Sequence, residues 1–309
     1  MSTSGSIDFT ATRDEIIEGA FSLCGAKDPT EALSAEYLTI GTRALNLYIK
    51  ALMTKAPQLW RQTEGVLFLN EDQQSYSLGT GGDHSAKLDD LFSTTLSAAA
   101  SSAATSITLT SVSGLAVSDK IGIAQDDGTR HWTTVATIVG STVTLASGLT
   151  DDAASGLTVY GYTTLLERPV RLYNLRRRQG TTEIPVDLVS RSEYFEQPTK
   201  AAEGKIVLAY YSPQLSAGKL YVWPTADTAA DQLRFTYERT FEDMDSALNN
   251  FDMPIEAVEM IKYGLAVRIG PEIGAPMEIM RTLKAESEQR ESEAMAFDQE
   301  DASVFFTPR

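Results

Sequence analysis

The most constraining feature of this chain is a double switch in hydrophobic period. Apolar residues recur at helical spacing near both ends and at alternate positions through a long middle. Neither one helical bundle nor one sheet accommodates such a pattern. The end helices must meet across the β centre, so the sequence predicts an α+β fold. It comprises a discontinuous helical domain from the N- and C-terminal helices, a central antiparallel β domain and an inserted all-β module.

Thr12-Arg13-Asp14-Glu15 reads as a capping box opening a helix, with Ile16, Ala20 and Leu23 beside Ile17, Phe21 and Cys24 on one face and Gly25 as the stop. A longer helix follows to about Ala56, with Leu38, Leu45, Ile49 and Leu52 as its stripe. Tyr37, Ile40, Ala44, Leu47 and Ala51 widen the stripe, and Pro57 ends the helix. A face this wide predicts packing on more than one partner.

From Glu64 the pattern turns to strands, with Val66 to Leu69 and Ser75 to Leu78 read as a hairpin around Asn70-Glu71-Asp72. Residues 93–163 are rich in Ser, Thr, Ala, Gly and Val, and Ile107–Leu115 echoes Val143–Leu149, which marks them as a separate β insertion. Asp126-Asp127-Gly128-Thr129 reads as the turn of a hairpin inside it. Further strands are expected near 170–175, 184–189, 206–211, 220–223 and 233–237, as a second β layer. Helical spacing returns after Pro254 and stops at Gly270-Pro271, and a last, charged helix runs from about Pro276 to Phe297.

The expected boundaries are therefore a helical domain from 1–64 and 242–298, a central β domain from 65–92 and 164–241, the insertion at 93–163, and a tail at 299–309. In that tail Val304, Phe305 and Phe306 follow a polar segment and cannot form a core alone. They read as a docking tag or as a strand that packs back.

Charge restricts the function classes. The chain has 42 acidic and 26 basic residues, a formal charge of -16, and this argues against general binding to nucleic acid or anionic membrane. The exception is the run Arg176, Arg177 and Arg178 with Arg168 and Arg171 nearby. These five arginines are candidates for contact with DNA phosphates or an acidic neighbouring subunit, the alternative being pairing with the chain's own acids.

A single cysteine, Cys24, excludes an intramolecular disulfide and fits synthesis in a reducing cytosol. Neither a signal peptide nor a run of eighteen apolar residues is read, so no membrane partner is expected. His84 and His131 lack companions at metal spacing, and the Gly79–Asp83 run lacks the Lys-Ser/Thr of a phosphate cradle. Glu15 with Glu18 and Glu256 with Glu259 are carboxylate pairs on helix faces expected to be exposed. No catalytic, metal or cofactor residue is assigned, and the chain is read as non-enzymatic. Trp132, Tyr160 and Tyr162 of the insertion, and Tyr210, Tyr211, Tyr221 and Trp223 beyond it, either pack or stack on sugars, packing being favoured.

Several stretches also carry a family resemblance: TRDEIIEGAFSLCGA at Thr12–Ala26 with the helix after it to KAPQLW, SRSEYFEQP at Ser190–Pro198, GKLYVWPTAD at Gly218–Asp227, and FDMPIEAVEMIKYGLAVRIGPEIGAP at Phe251–Pro276. In these the chain resembles the head-to-tail adaptors of short-tailed bacteriophages, also called tail accessory factors or packaged-DNA stabilisation proteins. The insertion departs from the smallest members of that family.

The resemblance implies a virion protein of the tail or neck, forming a dodecameric ring beneath the portal protein, extending the DNA channel and meeting the tail nozzle or knob. Genomic DNA is then only passing cargo, and the net negative charge suits a conduit in which DNA must slide. It further implies that the C-terminal end reaches into portal subunits, which makes Val304, Phe305, Phe306 and Arg309 the docking candidates. The reading from another class is a host-glycan-binding tail or baseplate module centred on 93–163, and a third is a cell-wall glycan hydrolase.

Overall fold

The computed structural model describes residues 5, 9–27, 31–54 and 59–297, which form two compact units. One is built from both chain ends, residues 1–61 with 240–309, and the other from 62–239. The fold is mixed α+β, and among the described residues no helix is long and apolar enough to cross a membrane.

In the first unit, α1 (Arg13–Leu23) starts at the expected capping box: the Thr12 amide donates to Glu15 Oε2 at 2.8 Å, and the Thr12 side chain accepts from the Glu15 amide. Both groups would otherwise be orphan donors at a helix start. α2 (Ala35–Leu52) is capped by Ser34 and ends earlier than the expected Ala56. Its stripe is also narrower than read, because Leu47 is 57% exposed.

A 3-10 turn at Ile255–Ala257 leads into α4 (Val258–Ile269), and α5 (Met277–Phe297) follows; α3 (Arg191–Phe195) lies in the second unit. Ile17, Phe21, Leu45, Leu52, Ile261 and Leu265 share one core. Each such side chain contributes on the order of 1.5–3 kcal/mol on burial. Gly264 makes the packing close: a Cβ there would lie 2.0 Å from the Tyr48 hydroxyl, so Tyr48 fills the space a side chain would occupy.

In the second unit, five strands align in the order β11 (Thr182–Pro185), β10 (Arg171–Gln179), β17 (Gln232–Glu238), β1 (Gln62–Phe68) and β3 (Ser85–Lys87). Four align as β12 (Asp187–Leu188), β14 (Leu208–Ser212), β15 (Gly218–Trp223) and β2 (Ser75–Leu78), and β13 (Glu203–Gly204) pairs with β16 (Thr225–Ala226). The five- and four-stranded sheets share a core in which Leu67, Leu233 and Phe235 of one meet Leu78, Leu220 and Val222 of the other. Strand alternation makes this possible, since every second residue of each strand points inward.

Two expectations are corrected here. β1 and β2 do not form a hairpin: β1 pairs with β17 and β3, and β2 with β15, because residues 69–74 carry the chain from one sheet to the other. The strands after residue 170 do not make one layer either, since β10, β11 and β17 join β1 while β12, β14 and β15 join β2.

The same unit holds a six-stranded sheet, ordered β4 (Phe92–Thr95), β9 (Thr158–Tyr162), β6 (Lys120–Ala124), β7 (Arg130–Val139), β8 (Thr142–Leu145) and β5 (Ser106–Thr108). The echoed segments are antiparallel partners in it, β5 against β8. Its end strands meet through Thr110 N to Thr95 O at 3.0 Å and Ser97 N to Thr108 O at 2.9 Å, so the sheet curls back on itself. Ile121, Ile123, Val143, Leu145 and Val159 fill its interior. A small curled sheet filled in this way is a packed core rather than a ligand cavity.

Candidate functional site

Three places bear on function: the arginine run, the aromatic contact between the curled sheet and its neighbour, and the outer face of the four-stranded sheet. The arginines lie on and before β10, where alternation sends Arg176 and Arg178 to one face and Arg177 to the other. Arg176 Nη2 lies 2.8 Å from Glu64 Oε1 and its Nε 3.1 Å from Glu183 Oε2. Arg178 donates to the Gly180 carbonyl at 2.8 Å and lies 3.7 Å from Glu183. Arg234 joins the same carboxylate at 3.2 Å.

Arg177 is buried and bonds Asp231 at 2.9 Å, and Asp231 also meets Lys205 at 3.3 Å. Arg171 is exposed and hydrogen-bonded to Tyr173, which raises its pKa, and Arg168 sits beside Tyr211. The three clustered guanidiniums are therefore committed to the chain's own carboxylates and backbone, and Arg177 faces no solvent. Of the five, Arg171 is the exposed one.

The docking candidates Val304, Phe305, Phe306 and Arg309 lie outside the described residues. The carboxylate pairs are split between structural partners: Glu15 caps α1, Glu18 bonds Lys27 at 2.7 Å, and Glu259 lies 3.3 Å from Arg290. Cys24 is buried, its Sγ 3.3 Å from the Ala266 carbonyl, and burial pushes its thiol up to about 11. A thiol in that state is a poor nucleophile at neutral pH. Among the described residues no group of three His, Cys, Asp or Glu is placed to hold a metal ion. The Gly79–Asp83 loop closes on itself, with Asp83 accepting from the Ser77 amide at 2.6 Å and from Gln73 at 2.8 Å.

At the aromatic contact, Trp132 of β7 stacks on His84 with centroids 4.0 Å apart and planes 9° apart, and its edge meets Phe68 at 4.9 Å. His84 Nδ1 is 2.7 Å from the Tyr162 hydroxyl. Gly122 creates the room, since a Cβ there would come within 2.7–2.8 Å of the indole. Arg130 completes the cluster, its guanidinium 5.2 Å from the Phe68 centroid and 5.1 Å from that of Tyr160. The insertion's aromatics are thus used in packing against the five-stranded sheet.

Burial pushes His84 down to about 4, with Lys120 reinforcing the shift and Asp83 opposing it. The imidazole is held neutral, so this contribution to stability is complete above the ordinary histidine pKa of about 6.5. It falls away as pH drops from there toward 4. The expected loss is on the order of 1–3 kcal/mol, the upper figure being reduced by solvent screening at a half-buried ring. Urea unfolding at pH 7 and pH 4.5 checks this by comparing the chain with His84→Phe, in which the pH-dependent part attributed to His84 disappears.

The third place was only half visible in the sequence. Tyr210 and Tyr221 are cross-strand partners on β14 and β15, with centroids 5.8 Å apart and planes 15° apart. Phe195 of α3, 52% exposed, lies 6.1 Å from Tyr221 and 6.5 Å from Tyr210. Tyr194 of the same helix is buried against them, 5.6 Å from Tyr221 and 6.3 Å from Tyr210, and donates its hydroxyl to the Val222 carbonyl. Arg191 lies 5.7 Å from the Phe195 centroid, and Lys200 4.6 Å from that of Tyr194. Sequence reading missed Phe195, Arg191 and Lys200, although Ser190 followed three residues later by Glu193 is the signature of a capped helix there. By contrast Tyr211 turns inward and donates to the Pro169 carbonyl at 2.6 Å.

No family model matches the chain, and no curated protein matches it. The adaptor family is therefore not supported by comparison. Among solved structures, the chain is similar to the Gp54 tailspike of Acinetobacter baumannii bacteriophage AP22, a structure in complex with A. baumannii capsular saccharide. The identity is 15% over 25% of this chain and 15% of that one, with a TM-score of 0.22. A likeness of that size carries no argument about fold or role.

Proposed function

We propose that the chain is a non-catalytic structural protein of a bacteriophage virion. It acts as a head-to-tail adaptor, forming a ring under the portal, extending the DNA channel and connecting to the tail nozzle or knob. The observation that carries the reading is that the resembling stretches from opposite chain ends, Thr12–Ala26 and Phe251–Pro276, contribute to one helical core. A compact unit to which both halves of the chain contribute is suited to ring building. In this reading Val304, Phe305, Phe306 and Arg309 supply the portal anchor, apolar side chains being buried when the partner is met.

Mixing the chain with the portal protein of the same virion and imaging the product tests both parts. A ring-on-ring complex supports the adaptor, and its absence overturns it. Deletion of residues 303–309 is expected to abolish the complex, and a complex unaffected by the deletion overturns the anchor assignment.

A second reading, glycan binding in the virion tail, is favoured by one observation, the aromatic cluster of Phe195, Tyr210 and Tyr221, in which Phe195 is 52% exposed and the two tyrosines are half-buried. It moves the expected sugar surface away from residues 93–163, whose large aromatics are occupied in packing.

A further inference from the structure

Buried polar groups are almost always hydrogen-bonded, so a cluster that is not marks a place where water or an ion supplies the partner. Such a cluster lies on the face of the five-stranded sheet turned to the insertion. Alternation puts Leu67 and Leu233 in the core between the sheets, and their neighbours Phe68 and Gln232, cross-strand partners on β1 and β17, on the opposite face. Gln232 is 2% exposed, and neither its amide nitrogen nor its amide oxygen has a hydrogen-bond partner among the described residues.

Arg130 of β7 meets the same Phe68 from the insertion, its guanidinium 5.2 Å from that ring's centroid and 5.1 Å from that of Tyr160. The residue is 9% exposed, and its Nε and Nη1 have no hydrogen-bond partner among the described residues. Ring faces offset a buried cation only in part, and burial pushes this guanidinium down to about 10.

The surrounding charges add to the demand. Arg178 stands in register beside Gln232, and Arg234 beside Val66. Tyr160 acts electrostatically on both Arg130 and Arg234, so the two guanidiniums flank one phenol. Glu64 and Glu183 between them serve Arg176, Arg178 and Arg234, while Arg234 still keeps an Nε without a hydrogen-bond partner among the described residues. Four guanidiniums and two carboxylates meet here, a local excess of positive charge in a chain of net charge -16.

We propose that Arg130, Gln232 and Arg234 hold a small oxyanion of the phosphate or sulfate class. Guanidinium forks match paired oxygens, the Gln232 amide adds a neutral donor, and a divalent ion offsets the excess charge. Arg178 and Arg234, their side chains 30% and 15% exposed, form the approach. Because the innermost cation is nine-tenths buried, the site takes a free ion rather than phosphates strung along a nucleic acid. It is independent of both the adaptor and the glycan readings.

The test titrates the full chain with inorganic phosphate in calorimetry at fixed ionic strength, with chloride and a short DNA duplex as comparison probes. Phosphate is expected to bind, sulfate to compete with it, and chloride to do neither. The thermal midpoint is expected to rise by roughly 5 °C at about a hundred times the dissociation constant, since the ion binds the folded chain alone. Arg130→Met keeps an unbranched stem against Phe68 and Tyr160 and removes the charge. It is expected to weaken phosphate by about tenfold or more without lowering the midpoint measured in the absence of phosphate. Gln232→Leu is expected to weaken phosphate by about fivefold with unchanged circular dichroism, and it decides the matter should Arg130→Met not fold.

A phosphate response no greater than that of chloride overturns the proposal, the orphaned groups then holding water alone. Binding of the duplex with no response to free phosphate overturns it as well. Phosphate binding undiminished in the variants overturns this site.

Discussion

Replacing Asp231 with Ala is expected to destabilise the chain by about 3–5 kcal/mol in urea or thermal unfolding, the range for removing one partner of a buried ion pair. Asp231 and Arg177 are 4% and 8% exposed at their side chains, with Nη1 and Oδ2 2.9 Å apart. The loss is large because the guanidinium stays behind, desolvated and uncompensated. Lys205, the other neighbour of Asp231, keeps Asp227 at 3.0 Å and is far less affected. A double replacement, Arg177→Met with Asp231→Leu, separates the cost of an orphaned charge from the worth of the pair. It is expected to recover most of the loss, and a double variant as unstable as Asp231→Ala would show that packing rather than charge sets the effect.

Trp132→Ala is expected to cost about 3 kcal/mol, near the lower end of large-to-small substitutions of core aromatics because the indole is half-buried. The ring loses its stack on His84 and its edge contact with Phe68, and the space made by Gly122 becomes a void. The core inside the curled sheet, centred on Ile121, Val143 and Val159, does not include Trp132. Hydrogen exchange should therefore rise first around His84 and Phe68, with the strand amides of β5 and β8 still protected. If Trp132 served a saccharide instead, its removal would leave stability unchanged and abolish binding, the opposite pattern.

The legibility of these features follows their physical range. The α1 capping box and the β6 to β7 hairpin were readable because each is settled within a few residues, by hydroxyl and carboxylate reaching orphan amides or by a turn that fixes register. The pairing of β1 with β17 was not, since it joins residues some 170 positions apart and alternation names a strand's face but not its neighbour. The β10 arginines show the same division. Their concentration was visible, yet whether they faced DNA, another subunit or Glu64, Glu183 and Asp231 depended on which strands lay beside them.

What the sequence determined by itself is the order of the parts: helices at both ends, strands between them and a compositionally distinct insertion, because periodicity, capping and turn chemistry are local. Only the tertiary structure decided how the strands divide between two sheets. It also decided that Trp132 is spent on packing and that Tyr210 and Tyr221 stack half-buried beside the exposed Phe195. Those outcomes depend on which surfaces find each other, and burial rewards any apolar partner without naming it in advance.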